Sequence, residues 1–157
     1  MTFQLNDLQN ASILAKANFL VAVGSMNTIE FLGGVRNGLL GRRGSKNVSL
    51  RFAEGVRLLG RVNDVYSKIG EEKMYNLRNG LTHQYVPSLE GLRHIVVAND
   101  WKDDRAIVED ENTLALNVAR LIVDLRMAWK HLRHELQQDS EMLSRAGEAL
   151  MRLPHLM

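Results

Sequence analysis

The stretch 112–138 constrains the fold more than any other part of the chain. Leu114, Val118, Leu121, Leu125, Ala128, Trp129, Leu132 and Leu136 follow one another at steps of three and four. Such steps return to one side of an α-helix, so the segment predicts a long amphipathic helix of about seven turns. A helix of that kind must bury its stripe against other helices. Segment 7–32 repeats the rhythm with Leu8, Ala11, Ala15, Phe19, Ala22, Met26 and Ile29, and Leu20, Val23 and Phe31 widen the stripe. Gly33-Gly34 is expected to end this helix, leaving 33–47 as a glycine-rich connector. Further helices are expected over 49–60, over 71–85 (closed by Pro87) and over about 140–152. Residues 93–98 and 105–109 flank a turn-like NDWKDD and can form a small hairpin. The expected fold class is all-α. It is an antiparallel helical bundle of about five helices, with room for a β-hairpin near 93–109, in one domain over 1–157.

Composition narrows the chemistry. The chain has 157 residues and no cysteine, which excludes disulfides, thiolate catalysis and Cys-ligated zinc. The longest charge-free apolar stretch, Ala17 to Ile29, is too short to cross a bilayer of about 30 Å at 1.5 Å per residue. The polar start MTFQLNDLQN lacks the basic region of a signal peptide. No membrane association and a cytoplasmic, reducing compartment are therefore expected.

Charge is unevenly placed. Arg36, Arg42, Arg43, Lys46, Arg51, Arg57 and Arg61 face the single acid Glu54 within 36–61, a local balance of +6. Between Asp100 and Glu111 acids dominate instead. A basic field suits a phosphate-bearing partner; a solvated helix face with loop charges accounts for it equally.

Two motifs fail when tested. Gly38, Gly41 and Gly44 recur every third residue, but neither the Walker pattern nor the dinucleotide fingerprint is met. His131, His134 and Glu135 lie close together, yet position 138 is Gln where a zincin needs His. No metal and no cofactor are expected.

Residues 78–85, RNGLTHQY, are different. Arg78 and His83 lie about one and a half helical turns apart, so a regular helix does not put them on one face. A bend near Gly80, or a partner subunit, would have to bring such groups together. Chance supplies about 0.4 Arg-x4-His pairs in a chain of this composition, and Arg126–His131 is a second copy. Asn79 directly after the arginine and Tyr85 two residues after the histidine set the first copy apart. The competing reading is a satisfied polar cluster, with Arg78 paired to an acid such as Glu71 or Glu72. Tyr75 reads as packing.

The octet resembles the Arg-Asn-x3-His signature of the HEPN superfamily, and His83-Gln84-Tyr85 resembles the His-x-Tyr extension of HEPN toxins paired with nucleotidyltransferase antitoxins. The resemblance implies an all-α homodimer with the motif at the subunit interface and metal-independent cleavage of RNA. Arg78, Asn79 and His83 would be catalytic, and Tyr85 would be the residue the antitoxin modifies with adenylate. Arg36, Arg42, Arg43 and Lys46 would be candidates for contact with the RNA. Many members bind or scaffold without cleaving. The alternative is thus a catalytically silent HEPN-type helical dimer that binds nucleotide, RNA or a protein partner.

Overall fold

The computed structural model describes residues 2–13, 17–84, 94–98, 105–110 and 113–153. Among these the chain is mostly helical, with one small sheet. In order they are α1 (Thr2–Ile13), α2 (Asn18–Asn37), α3 (Ser45–Gly60), α4 (Val65–Ile69), α5 (Glu71–Asn79), a π-helical turn (Gly80–Gln84), β1 (His94–Ala98), β2 (Ile107–Asp110), β3 (Thr113–Asn117), α6 (Val118–Gln138) and α7 (Ser140–Met151). No described helix is long and apolar enough to cross a membrane.

The first apolar stripe is divided between α1 and α2. Ala22, Met26 and Ile29 are fully buried, whereas Leu20, expected to widen the buried face, is 67% exposed. Gly33-Gly34 does not end α2. The helix runs on to Asn37 and stops at Gly38, whose φ of 70° is left-handed. There Leu39 N–H donates to the Gly34 carbonyl, the bond that closes a glycine-capped C-terminus. The connector therefore shrinks to 38–44.

The glycines inside α2 serve packing. A Cβ at Gly33 would collide with the Arg51 carbonyl oxygen, and one at Gly55 would collide with that of Ile29. The two backbones thus cross with no side chain between them, which only glycine permits. Phe52, Val56 and Leu59 of α3 enter the same core as Ile29 and Leu32. Tyr75 meets Phe52 edge-on at 5.8 Å between ring centres, a packing contact.

The sheet corrects two expectations. Segments 93–98 and 105–109 do not pair with each other; β1 and β2 both flank β3, in the order β1-β3-β2. β1 runs parallel to β3, with Ile95 opposite Leu114, and β2 runs antiparallel, with Ile107 opposite Leu116. Residues 113–117 had the helical spacing of the long stripe, but Leu114, Ala115 and Leu116 are all buried. A short run buried throughout reads the same as strand or helix by periodicity. Asn117 then opens α6, its Oδ1 accepting from Arg120 N–H at 3.2 Å. The helix has 21 residues, about six turns rather than seven. Asp139 caps α7 by accepting from Met142 N–H at 2.9 Å. The short α4 was not foreseen.

α6 also carries a buried carboxylate. Asp124 Oδ2 accepts from the Tyr66 hydroxyl at 3.0 Å and from Asn63 Nδ2 at 3.2 Å. Arg120 Nε stands 3.1 Å from Oδ1, at ion-pair distance without hydrogen-bond geometry. Burial, then the neighbouring Asp124 charge and its hydrogen bond, hold the Tyr66 phenol well above the usual tyrosine range.

Two outcomes follow from this packing. Gly55→Ala should destabilise the protein by about 1–3 kcal/mol through overpacking. Gly147→Ala, on open α7 surface, should instead stabilise by about 0.5–1 kcal/mol; urea unfolding of both variants measures the contrast. Tyr66→Phe should cost about 1.5–3 kcal/mol near pH 8, the worth of a hydrogen bond to a charged group. A phenol whose folded pKa is raised stabilises fully below its unfolded pKa of about 10 and loses that contribution as pH rises through the folded value. The deficit of Tyr66→Phe relative to wild type should therefore narrow above pH 10, by about 1.4 kcal/mol per unit, in urea melts at pH 8 and 11.

Candidate functional site

α5 delivers Arg78 to an open cleft of about 370 Å³ between α2, α3 and the 38–44 loop. Its wall includes Asn27, Glu30, Phe31, Leu40 and Arg51. Arg78 Nη2 donates to Glu30 Oε2 at 2.8 Å, and Arg51 Nη2 donates to Glu30 Oε1 at 2.6 Å. One carboxylate is thus shared by two arginines from different helices. All three side chains are mostly withdrawn from water, with exposures of 15% for Arg78, 11% for Arg51 and 15% for Glu30. Two guanidinium charges against one carboxylate leave the cleft with an excess positive charge. The Arg78 Nε is buried and has no hydrogen-bond partner among the described residues. The competing expectation for Arg78 is half met. It is paired to an acid, but that acid is Glu30; Glu71 is held by Arg57 at 2.7 Å.

Asn79 is adjacent both in sequence and in contact, its Oδ1 accepting from Arg78 Nη1 at 3.0 Å. After Asn79 the helix widens. Gly80 has weak helical preference, and Thr82 donates its hydroxyl to the carbonyls of Arg78 at 2.8 Å and Asn79 at 3.4 Å. Hydroxyls bonded back to the preceding turn compete with the helical ladder and bend it. The π turn over Gly80–Gln84 is the outcome. A π turn closes on the fifth residue instead of the fourth. The backbone of residue 83 is therefore turned back toward the side of the axis that carries residue 78, relative to an unbroken α-helix. What the chain shows at Gly80 is this change of helix type, with Gly80 itself still in helical conformation. The His83 side chain and all of Tyr85 lie outside the described residues, as does the acidic stretch 100–104.

The basic loop candidates separate. Arg36 is not a free cation. Its Nε donates to Glu135 Oε2 at 2.9 Å and its Nη1 to Glu54. Burial alone would lower the Arg36 guanidinium, but the bonds and charges of Glu135 and Glu54 outweigh it and raise the pKa. Arg57 and Arg61 are likewise paired, to Glu54 and Glu71 and to Glu135. Arg42, Arg43 and Lys46 remain exposed at the loop and the start of α3. Arg51 anchors that loop by donating from Nη1 to the Arg42 carbonyl at 2.8 Å and the Leu39 carbonyl at 3.3 Å.

Glu30 and Arg51 were not singled out as site residues, although a signal existed. Glu30 is the one acid between Asp7 and Glu54, set in an apolar helical run. A lone charge there needs a partner to be buried. His131 and His134 are exposed, and Glu135 serves the arginines. Among the described residues no group of three or more ligating side chains is placed to hold a metal ion. The second Arg-x4-His copy also has another role, since Arg126 is bound by Asn6 and Gln9 of α1 at 2.8 Å. No family model, curated protein or solved structure matches the chain.

Glu30 holds both guanidinium groups and neutralises one of their charges, so loss of its charge loosens the pair and leaves more of the positive field to an added anion. Glu30→Gln should therefore lower stability by about 1.5–3 kcal/mol. Inorganic phosphate in the millimolar range should raise the melting temperature of Glu30→Gln more than that of wild type. Equal responses in differential scanning calorimetry would show that the arginine pair does not accept an anion.

Proposed function

We propose that the protein is a HEPN-like, metal-independent endoribonuclease that acts as a homodimer in a helical-bundle arrangement. The observation that carries the reading is Arg78 on the wall of an open, positively charged cleft, with the helix widened immediately after Asn79. The motif residues 78–85 supply the rest. In this reaction the RNA 2′-hydroxyl attacks the adjacent phosphate while one group removes its proton and another protonates the leaving 5′-oxygen. The His83 imidazole suits proton transfer near neutrality. The Arg78 fork suits the charge that grows on the phosphate oxygens. Asn79 holds the fork, as its present bond to Arg78 already does.

One histidine cannot stand on both sides of an in-line displacement, and a two-fold dimer brings a second copy to the same cleft. Leu20 of α2, and Val123 and Met127 of α6, are large apolar side chains left to solvent and are consistent with association. Arg42, Arg43 and Lys46 would contact RNA beyond the cleft. A nucleotidyltransferase antitoxin would silence the enzyme by attaching adenylate to Tyr85, whose added phosphate would compete for Arg78.

A specific observation favours the silent alternative, a dimer that binds nucleotide or RNA without cleaving. Both terminal nitrogens of Arg78 are already engaged, by Glu30 and Asn79. Each spends one N–H there, so a phosphate has to share the guanidinium with both partners through its remaining N–H groups.

Incubation of the purified protein with RNA in excess chelator separates the two. Cleavage should persist, and His83→Ala should lower it by about 10²–10⁴, the range of general acid–base catalysis. Arg78→Ala should cost a similar order, and His131→Ala should stay within a few-fold. Binding without cleavage by wild type would establish the silent reading. Equal losses at His83 and His131 would trace the effect to folding.

A further inference from the structure

A second basic surface lies on α6 and shares no lining residue with the Arg78 cleft. Arg126, Lys130 and Arg133 are four and three residues apart, so they occupy an arc of about 60° on one helix face. With Leu5 and Trp129 they line a pocket of about 280 Å³ between α1 and α6. Arg126 is fixed there by the Asn6 and Gln9 side-chain carbonyls. Both partners are neutral amides, so the guanidinium is oriented without losing its charge.

Lys130 and Arg133 are exposed, and among the described residues neither takes part in an ion pair. The acids of α6 are committed elsewhere, Asp124 to Tyr66 and Glu135 to Arg36 and Arg61. Asp7, the one acid of α1, does not line the pocket. Trp129 packs partly against the core and also lines the pocket, which sets the indole beside the three cations.

We propose that this pocket binds single-stranded nucleic acid, phosphates against Arg126, Lys130 and Arg133 and one unpaired base stacked on Trp129. Cations that track a backbone beside an aromatic platform are the minimal equipment for that ligand. A duplex keeps its bases stacked on one another and leaves the indole unused. An acidic peptide satisfies the cations but not the aromatic wall. The proposal is independent of any cleavage at Arg78.

The test uses the full chain with His83→Ala, which removes turnover, and Trp101→Phe, which leaves Trp129 as the only indole. Titration with a 12-nucleotide oligouridylate should quench Trp129 fluorescence. The logarithm of the binding constant should fall with the logarithm of salt concentration at a slope of about −2, since each neutralised phosphate on a single strand contributes about −0.7. Adding Lys130→Gln and Arg133→Gln should weaken binding at least ten-fold and reduce the slope to about −0.7. Trp129→Phe should retain binding by anisotropy of a labelled oligouridylate, and Trp129→Leu should lose most of it. RNA binding seen by anisotropy without Trp129 quenching would place the ligand elsewhere and overturn the proposal. So would an unchanged slope in the double variant, equal affinity for Trp129→Leu and Trp129→Phe, or full competition by polyglutamate.

Discussion

The crossing of α2 over α3 at Gly33 and Gly55 sets the position of everything around the cleft. Two helix backbones touch there without intervening Cβ atoms, closer than helices packed through ordinary side chains at 8–10 Å between axes. One turn from that point, Glu30 and Arg51 face each other across the joint and pair with little access to water. On the other side Arg36 reaches Glu54. A wider crossing would leave Glu30 a buried carboxylate without its first partner, which is costly. The same joint brings Arg51 within reach of the Leu39 and Arg42 carbonyls, so one guanidinium ties α2, α3 and the loop. Arg78 then arrives from α5 as the second cation on a carboxylate that is already placed.

Around this joint runs a chain of ion pairs. Glu135 of α6 holds Arg36 and Arg61, Glu54 holds Arg36 and Arg57, and Glu71 of α5 holds Arg57. The Arg57 guanidinium is raised by its bonds to Glu71 and Glu54, so it stays charged throughout any accessible pH. These groups are partly exposed, and exposed pairs contribute little individually. Their collective effect is on orientation: α3 is tied to α2, α5 and α6 by charges that cannot be exchanged without leaving an acid unpaired.

The long helices were readable because each buries a continuous face. Leu121, Leu125, Ala128 and Leu132 are buried in the α6 rhythm that the sequence shows, and Ala22, Met26 and Ile29 in that of α2. What escaped reading is tertiary. Gly33-Gly34 resembles a stop locally, and only the Arg51 carbonyl opposite explains why glycine sits inside the helix. The first residues of the long stripe became β3 because β1 and β2 were available on both sides to satisfy its backbone, information no window of the sequence contains. At the candidate site, Arg78 and Asn79 were visible from the motif, and Gly80, where a bend was one expectation, is where the helix turns from α to π. The shared carboxylate was not, because Glu30 lies 48 residues upstream of Arg78 and 21 upstream of Arg51.

Charge shows the same division between what a sequence counts and what a fold leaves available. The segment 36–61 holds seven basic residues to one acid, yet Arg36, Arg51, Arg57 and Arg61 meet acids supplied by α2, α3, α5 and α6. Only the loop cations Arg42 and Arg43 and the nearby Lys46 stay open to a partner at that end. On α6 the reverse holds. Arg126, Lys130 and Arg133 lie between Asp124 and Glu135 along the helix, but folding draws both acids to the far side. Arg126, Lys130 and Arg133 are left together beside an indole. Local charge counts in a sequence treat every acid as a neighbour of every base within the window. In the folded chain an acid turned into the core, or held by a distant arginine, no longer screens the cations beside it. The positive field that a phosphate-bearing partner would meet is therefore weaker at 36–61, and stronger along α6, than the linear arrangement of charges suggests.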